Sequence, residues 1–267
     1  LLYESFPQKG IEVNVLAFRA VQRFPKIVKH VVYFWYVFKK AKHVDVIYAQ
    51  DTVSVGLAAA CAARVRKKKF VVKIVGDHAW EQGVQRFGVT DLLDEFSVQH
   101  GYPFMVEMFK KIETYVAGKA DIVIVPSNYL EKIVGNWGID RNKIQVVYNA
   151  FEFPEEHMSS RDELRKKYDF QGYTIISAGR FTPWKGFSTL IEVFAKIHKK
   201  HPHSKLTIAG DGDEKDTVYA LVRKYNLENA VTLTGKLERS ILLEQIKAAD
   251  LFILNTAYEG LSHQLLE

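Results

Sequence analysis

Short β-branched runs alternate with longer helical stretches along the whole chain. Most of these runs lack a strict polar alternation, as expected for strands that helices cover on both faces. Strand followed by helix, repeated in this way, is typical of a parallel sheet, so the pattern predicts an α/β fold. The strand candidates are EVNVLAF, VDVIYA, FVVKIVG, DIVIVP and KIQVVYN in the first half and TIISAG, KLTIAG, VTLTG and LFILN in the second. The helices predicted in the first half cover residues 25–42, 53–66, 105–119 and 128–137.

The same plan occurs twice, which predicts two doubly wound, Rossmann-like domains over residues 1–152 and 173–267. Residues 153–172 form a connector with a short capped helix at Ser160–Tyr168 and without a core strand. Domains of this kind bind ligands at the carboxyl ends of their strands, so two facing domains are expected to enclose a cleft. We expect both domains to be incomplete: the first lacks its first strand, and the second lacks its C-terminal part.

Composition narrows the class of protein. The chain of 267 residues is 48% hydrophobic and 25% charged, as in a globular protein that dissolves in water. Its longest apolar run, Val31–Phe38, is far shorter than the ~20 residues that span a bilayer. The single cysteine, Cys61, excludes an internal disulfide and a zinc ribbon and fits a reducing compartment. These features predict a cytoplasmic location.

The positive charge lies in the first half. Residues 1–152 carry 21 basic and 15 acidic residues, which is the whole net charge of +6, and residues 1–73 carry 14 basic and 4 acidic ones. Such a field is either a solvated face or a surface for a polyanion or an anionic membrane. Residues 23–43, RFPKIVKHVVYFWYVFKKAKH, fit a helix lying on a membrane, or a buried helix with solvated ends. The run Arg64–Lys69, RVRKKK, suggests nucleic-acid binding, but without interleaved aromatic residues it also fits a charged turn.

Candidate ligand-binding residues follow several predicted strands. In SAGRFTPWKGF, Arg180 and Lys185 lie between a strand and a helix, where they predict a diphosphate site or two solvated cations. In AGDGDE, Gly212 allows a flat ligand to approach the backbone, or simply forms a tight turn. In LFILNTAYEGLSHQLLE, Glu259 and Glu267 can accept hydrogen bonds from pairs of sugar hydroxyls, although surface glutamates are common.

The first half offers a second site. In VVKIVGDHAWE, Asp77 and His78 follow a strand, where either can orient an acceptor hydroxyl or take its proton. The alternative is a helix N-cap and an ordinary loop histidine. The next stretch, QGVQRFGVTDLLDEFSVQHGYP, is long and weakly periodic, as in an acceptor-binding loop or in ordinary surface structure. None of the nine histidines belongs to a cluster with metal-ligand spacing, so no metal is expected.

Taken together, these motifs resemble the family-4 retaining glycosyltransferases of the GT-B fold. The resemblance covers roughly residues 70–267 and includes VPSNYLEKIVGNWGIDRNKIQVVYNAFE, SAGRFTPWKGF, LTIAGDGDE and the E-x7-E stretch of Glu259 and Glu267. It implies an enzyme that moves a sugar from a nucleotide-sugar to a glycan or lipid-linked acceptor, without a metal or another cofactor. A lipid-linked acceptor implies cell-envelope polysaccharide biosynthesis at the inner face of the membrane. The chain departs from many members at Ser262–Gln264, where they have glycine or proline.

The resemblance also implies a role for each candidate residue. Asp77 and His78 are expected near the reacting sugar carbon on the acceptor side. The residues expected to bind the donor are Arg180 and Lys185 at the diphosphate, Glu259 at the sugar hydroxyls, Glu267 at the ribose, Gly212 near the nucleoside, and Gly260, Leu261 and Ser262 at the sugar-phosphate through their backbone. The alternatives are another GT-B enzyme, namely a phosphorylase or a nucleotide-sugar epimerase, and a basic nucleic-acid-binding protein.

Overall fold

A computed structural model describes residues 5–150 and 159–266 of the chain and divides into two compact units. The first unit consists of Leu1–Gly83 and Leu93–Tyr148, and the second of Val84–Leu92 and Asn149–Glu267. Each contains one parallel β-sheet with helices between successive strands. The α/β class predicted from the sequence is therefore confirmed.

The first sheet contains four parallel strands in the order β1-β2-β3-β4. Val72 in β2 and Val123 in β3 pair with each other and are both fully buried, in keeping with the apolar runs from which the strands were predicted. The strands are β1 (Val46–Ala49), β2 (Lys69–Lys73), β3 (Ile122–Val125) and β4 (Ile144–Val146).

Six α-helices accompany these strands in the first part of the chain that the structure describes, up to residue 150. The second of them buries mainly alanines, whose small side chains allow it to approach the sheet closely. The last begins at a serine N-cap, where the Ser127 hydroxyl oxygen accepts from the amide of Leu130 at 3.2 Å. The helices are α1 (Lys26–Lys40), α2 (Gly56–Arg66), α3 (His78–Arg86), α4 (Leu93–Val98), α5 (Phe104–Lys119) and α6 (Asn128–Asn136).

The prediction of a strand at EVNVLAF is wrong. Residues 11–17 are irregular, and Ile11 and Val15 are 50% and 65% exposed. The carbonyl of Leu16 accepts a hydrogen bond from the Tyr33 hydroxyl at 2.9 Å, so the segment lies against α1. Alternating side chains form a strand only where a neighbouring strand can pair with the backbone, and this segment lies against a helix instead. The predicted loop after His78 also differs, since α3 and α4 occupy much of it.

The second sheet has the order β7-β6-β5-β8, with all strands parallel. The chain moves outward from β5 to β7 and then returns to the other side of β5. This reversal confirms the doubly wound arrangement and creates a topological switch point between β5 and β8, where ligands bind in folds of this kind. The strands are β5 (Thr174–Ala178), β6 (Lys205–Ala209), β7 (Val231–Gly235) and β8 (Leu251–Phe252).

The second unit has its own apolar core. Ile191 and Phe194 of one helix pack in a buried cluster with strand residues such as Leu206 and Ile208. Burial of each such side chain stabilises the fold by about 1.5–3 kcal/mol. The helices of this unit are α7 (Arg161–Lys167), α8 (Phe187–Lys200), α9 (Lys215–Lys224), α10 (Arg239–Ala248) and α11 (His263–Leu266).

The predicted capped helix of the connector is present as α7. The Ser160 hydroxyl oxygen and the Glu163 amide, together with the Glu163 carboxylate and the Ser160 amide, form a capping box. Arg165 of this helix pairs with Asp250 at 3.1 Å, and Asp250 also accepts from the amide of Thr174, at the start of β5, at 2.7 Å. The helical part of the connector is therefore attached to the second unit.

Candidate functional site

Two loops meet at the switch point of the second sheet. The β5 loop covers residues 179–186, and the β8 loop covers residues 253–262. The amide of Ala257 in the β8 loop donates to the carbonyl of Trp184 in the β5 loop at 2.8 Å. Since β5 and β8 end at the same edge of the sheet, this hydrogen bond holds the two loops together as one surface.

Gly186 sets the distance between the two loops. It has a φ of 63°, in the left-handed region that glycine enters at little cost. A Cβ atom at this position would lie 2.3 Å from the carbonyl oxygen of Asn255. The Gly186 carbonyl also accepts a hydrogen bond of 3.0 Å from the Asn255 side-chain amide. A glycine is therefore required where the β5 loop turns into α8.

Lys185 and Glu259, which the sequence predicts on separate loops, contact each other. The Lys185 ammonium group forms a hydrogen-bonded ion pair with the Glu259 carboxylate. Their side chains are 13% and 24% exposed, so the pair is largely shielded from water but still accessible. An anion entering the site would compete with the carboxylate for the ammonium group, and a hydroxyl group would compete for the carboxylate.

Arg180 lies two residues after Ala178, the last residue of β5, and is exposed. Within the described parts of the chain, its guanidinium makes no hydrogen bond or ion pair. A guanidinium in this position can bind two oxygens of a phosphate group at once. Arg180 and Lys185 thus place two cations on the β5 loop, and among the described residues a carboxylate pairs with the lysine but none pairs with the arginine.

Gly212 lies on the β6 loop, residues 210–214, where a glycine is needed because the backbone packs closely against Phe181. A Cβ atom here would lie 2.5 Å from the carbonyl oxygen and 2.7 Å from the amide nitrogen of Phe181. The Phe181 amide donates to the carbonyl of Asp211 at 3.0 Å, which joins the β6 loop to the β5 loop. The structure thus supplies a reason for the glycine that requires no ligand, and the nucleoside contact of Gly212 remains a prediction.

The remaining predicted donor contacts lie at the end of the β8 loop. Gly260 and Leu261 are half-buried, while Ser262 is 5% exposed and its hydroxyl donates to the Gln264 side-chain oxygen at 3.2 Å. Their contacts with the sugar-phosphate stay predictions. Glu267, the predicted ribose ligand, lies outside the described residues.

Thr182 is a feature of the β5 loop that the sequence did not reveal. The residue is 4% exposed, and its hydroxyl oxygen has no hydrogen-bond partner in the described part of the chain. A buried hydroxyl without a partner is uncommon, because the lost hydration is not replaced. Nothing in the local pattern distinguishes this threonine from an ordinary loop residue.

In the first unit, Asp77 takes the geometry of the N-cap alternative. Its carboxylate accepts from the Trp80 amide at 2.8 Å, and the residue is 1% exposed. Burial raises the pKa of Asp77 to about 6, because the charged form loses its hydration. A carboxyl group so deeply buried does not face solvent, so a substrate would reach it only through its neighbours.

His78 is half-buried and begins α3. Its ring meets the Phe109 ring edge-on, with centroids 5.2 Å apart and an interplanar angle of 86°. Its amide donates to the Glu113 carboxylate at 2.9 Å. Asp77 and His78 are therefore brought together at the carboxyl end of β2, as the sequence predicts, although only His78 is partly accessible.

Glu113 is the residue of this cluster that the sequence reading missed. It is 1% exposed and also accepts from the Thr52 hydroxyl and from the Ala79 amide, each at 3.0 Å. Burial, followed by the nearby Asp77, raises its pKa well above the ordinary value. The signal was present: Glu113 lies in the helical stripe of Val106 and Val116, where an apolar residue is expected.

The described residues include no cluster of three or more histidine, cysteine, aspartate or glutamate side chains suited to a metal ion. In the same parts of the chain, no helix has the length and apolar character needed to cross a membrane.

Comparisons with known proteins agree with this architecture. The family model described as Glycosyltransferase Family 4 matches residues 2–152, and the model described as Glycosyl transferases group 1 matches residues 160–267. An uncharacterized glycosyltransferase of Methanocaldococcus jannaschii is 32% identical over 152 residues, which are 55% of this chain and 37% of that protein. An N-acetylgalactosamine-N,N'-diacetylbacillosaminyl-diphospho-undecaprenol 4-alpha-N-acetylgalactosaminyltransferase of Campylobacter jejuni is 29% identical over 150 residues, 56% of this chain and 39% of that enzyme.

Solved structures share the fold. The crystal structure of Anabaena HepE in complex with UDP and glucose has a TM-score of 0.67 and 19% identity, over 95% of this chain and 63% of that one. This likeness confirms the two-domain, Rossmann-like GT-B fold. The chain spans well under half the length of the two curated relatives.

Proposed function

The chain belongs to glycosyltransferase family 4, and from this membership we propose that it transfers a sugar from a nucleoside-diphosphate sugar to an acceptor with retention of configuration. The observation that carries the proposal is the contact between Lys185 and Glu259 beside the exposed Arg180. Lys185 and Arg180 are suited to bind a diphosphate, and Glu259 is suited to bind sugar hydroxyls. The two loops that carry them lie at the switch point of a parallel sheet.

The charges of the site fit the chemistry of transfer. Negative charge develops on the diphosphate as the bond to the sugar breaks, and cations already in place stabilise it without reorganisation. Lys185 and Arg180 are such cations. Glu259 forms an ion pair with Lys185. Donor binding would replace this ion pair with a lysine–phosphate contact and leave Glu259 to accept from sugar hydroxyls.

We propose that the reaction needs no metal ion. Metal ions in transferases commonly neutralise the diphosphate. Here the two cations of the β5 loop supply that charge, and their position supports the proposal. Transfer should therefore persist in EDTA, whereas a requirement for added Mg²⁺ or Mn²⁺ would contradict it.

We propose a lipid-linked acceptor and a role in cell-envelope polysaccharide synthesis, with peripheral membrane contact through residues 23–43. The Campylobacter relative, by its name, acts on a diphospho-undecaprenol substrate. The faces of α1 support membrane contact. Tyr33 and Val37 are buried, whereas Val31 and Trp35 on another face are 53% and 52% exposed. Exposed apolar side chains on a lysine-rich helix suit an anionic membrane surface.

The donor site is tested by calorimetry of the chain with UDP-, GDP- and ADP-sugars in EDTA. One nucleotide-sugar should bind, and Glu259→Gln and Arg180→Lys should each weaken binding or transfer about tenfold to hundredfold. Glutamine lacks the charge of the carboxylate, and lysine cannot bind two phosphate oxygens in the planar geometry of arginine. Arg223→Lys, at an exposed position on α9, is the matched control and should behave like the wild type. Transfer by an extended form of the protein at the wild-type rate in both site variants would contradict the assignment.

A further inference from the structure

Two buried carboxyl groups lie behind the start of α3. Asp77 and Glu113 are each 1% exposed, and the charge of Asp77 is one cause of the raised pKa of Glu113. Two carboxyl groups in contact away from water do not both ionise, so the pair holds a proton. A pair of this kind is costly to bury, and apolar side chains of similar volume would often stabilise a fold as well or better. We therefore expect the buried carboxyl pair to have a role other than stabilising the fold.

The pair holds the first turn of α3. Glu113 accepts from the amides of His78 and Ala79 at 2.9 and 3.0 Å, and Asp77 accepts from the amide of Trp80 at 2.8 Å. Helix N-termini leave such amides without partners inside the helix. The two carboxyl groups thus fix the backbone at the point where β2 leads into the half-buried histidine.

One face of α5 contacts His78 in two ways. Phe109 and Glu113 are four residues apart on this helix, so they project from the same face. Phe109 meets the His78 ring edge-on, and Glu113 binds its amide. α5, a helix that lies well apart from His78 in sequence, therefore contacts both the ring and the backbone of this histidine.

We propose that Glu113 is a positioning residue for sugar transfer, which acts by holding His78 at the carboxyl end of β2. The inference rests on the proposed function. Glu113 does not touch a substrate, because it is buried behind α3. Its effect passes through the backbone of His78, the accessible group of this cluster.

The charged and titratable neighbours of the pair come from several elements. Lys110 of α5 favours the ionised form of both carboxyl groups, and Glu107 of the same helix acts on Lys110. Trp137, which follows α6, favours the ionised form of Asp77, and the charge of Asp77 helps to raise the pKa of Tyr129 in α6. A pH profile of transfer will reflect these groups as well as the pair, so variants have to be compared with the wild type.

The test is Glu113→Gln in the full-length, active protein. A glutamine side chain has one oxygen, so it cannot accept from both the His78 and the Ala79 amides. We expect kcat to fall about tenfold to hundredfold, as for a small misplacement of a reacting group, with the donor Kd unchanged. The pH profile of kcat should change shape, and the carbon-bound ring protons of His78 should shift in NMR because the contact with Phe109 changes. Their signals are assigned from the spectrum of His78→Gln.

Glu192→Gln, at an exposed position on α8, is the matched control. Thr52→Val is a second variant that removes one hydrogen bond to Glu113 and leaves the pair intact, and it should lower kcat less but in the same direction. A lower Tm for Glu113→Gln with unchanged kcat, pH profile and His78 signals would overturn the inference. A wild-type protein that binds no nucleotide-sugar would contradict the proposed function instead, and the His78 signals would then decide alone whether Glu113 positions the histidine.

Discussion

Gly186 and Gly212 are two positions where a single methyl group would disturb the candidate donor site. At both, the added Cβ would meet backbone atoms of a neighbouring loop, at 2.3 and 2.5 Å. Backbone atoms cannot move aside as the end of a flexible side chain can, so the loops themselves would have to separate. These glycines therefore determine the spacing of Lys185, Glu259 and the β6 loop.

Gly212→Ala should destabilise the protein by about 1–3 kcal/mol, because overpacking moves the backbone of Phe181. It should also weaken donor binding through the displaced β5 loop. Thermal unfolding and calorimetry measure the two effects. The control is Gly118→Ala in α5, where the nearest atom would be 3.9 Å away and the helix should gain stability. Equal Tm values for the two variants would contradict the steric argument.

The carboxyl pair should make stability depend on pH. Asp77 has its pKa raised from 3.8 to about 6 by burial, and that of Glu113 is raised as well. The folded chain therefore keeps a proton that the unfolded chain releases as the pH rises between about 4 and 6. The stability contributed by the protonated pair is present at acidic pH, begins to be lost over this window, and continues to fall up to the raised pKa of Glu113.

Glu113→Gln, which resembles the protonated form, isolates this effect. The unfolding free energy of the wild type minus that of the variant should fall as the pH rises from about 4 to about 6. Denaturant unfolding at several pH values measures the difference. Comparison with the variant is needed because Asp94 and Asp121, whose pKa values are lowered by their hydrogen bonds, act in the opposite direction. A difference that is flat or rises over this window would contradict the proton-sharing pair.

Among the elements, α1 combines two apolar faces with basic ends. One face packs inside the first unit, and the other carries Val28, Val31 and Trp35, which are 44%, 53% and 52% exposed. The Arg66 guanidinium lies 3.8 Å from the centre of the Phe38 ring and so covers the end of the helix. The basic run RVRKKK thus forms the end of α2, with Lys67 in a left-handed cap, as expected for a charged turn.

The exposed face predicts binding to anionic vesicles. The protein should sediment with vesicles that contain phosphatidylglycerol and less with pure phosphatidylcholine. Trp35→Gln should weaken binding about tenfold, because a large apolar side chain no longer enters the membrane. Tyr219→Gln, at a 38% exposed aromatic on α9, is the control. Equal sedimentation of the two variants would argue that α1 does not contact the membrane.

Across the whole molecule, the two units carry different parts of the proposed chemistry. The ion pair of Lys185 and Glu259 belongs to the second unit, and the cluster of His78 and Glu113 belongs to the first. Each group lies at the carboxyl end of a parallel sheet, the edge at which such sheets bind ligands. Donor binding should therefore affect mainly the loops that carry Lys185 and Glu259.

Hydrogen exchange, measured with and without the nucleotide that binds best, tests whether donor binding affects mainly these loops. We expect slower exchange in residues 179–186 and 253–262, where the donor orders two loops, and unchanged exchange in α1. Lys185→Gln should abolish the protection, because the diphosphate loses a cation. Protection that is confined to the first unit would show that the donor site has been misplaced.

The elements themselves followed largely from local pattern. The runs at β2, β3, β5 and β6 predict strands because apolar and β-branched residues dominate each run. The capping box predicts α7 because its hydrogen bonds join residues three apart. EVNVLAF failed because pairing depends on a partner strand, which no local pattern specifies. The candidate donor residues were also predicted from local pattern, because Arg180, Lys185 and Glu259 are polar residues that follow predicted strands.

The sequence by itself determined the fold class, most of the elements and the candidate donor residues, because short-range periodicity and turn chemistry encode them. Only the tertiary structure decided that Lys185 meets Glu259, that Gly212 packs on Phe181, and that Glu113 holds His78. Each of these contacts joins residues far apart in the chain. Their energies depend on burial and on exact distances, which arise only when the strands have taken their order in the sheets.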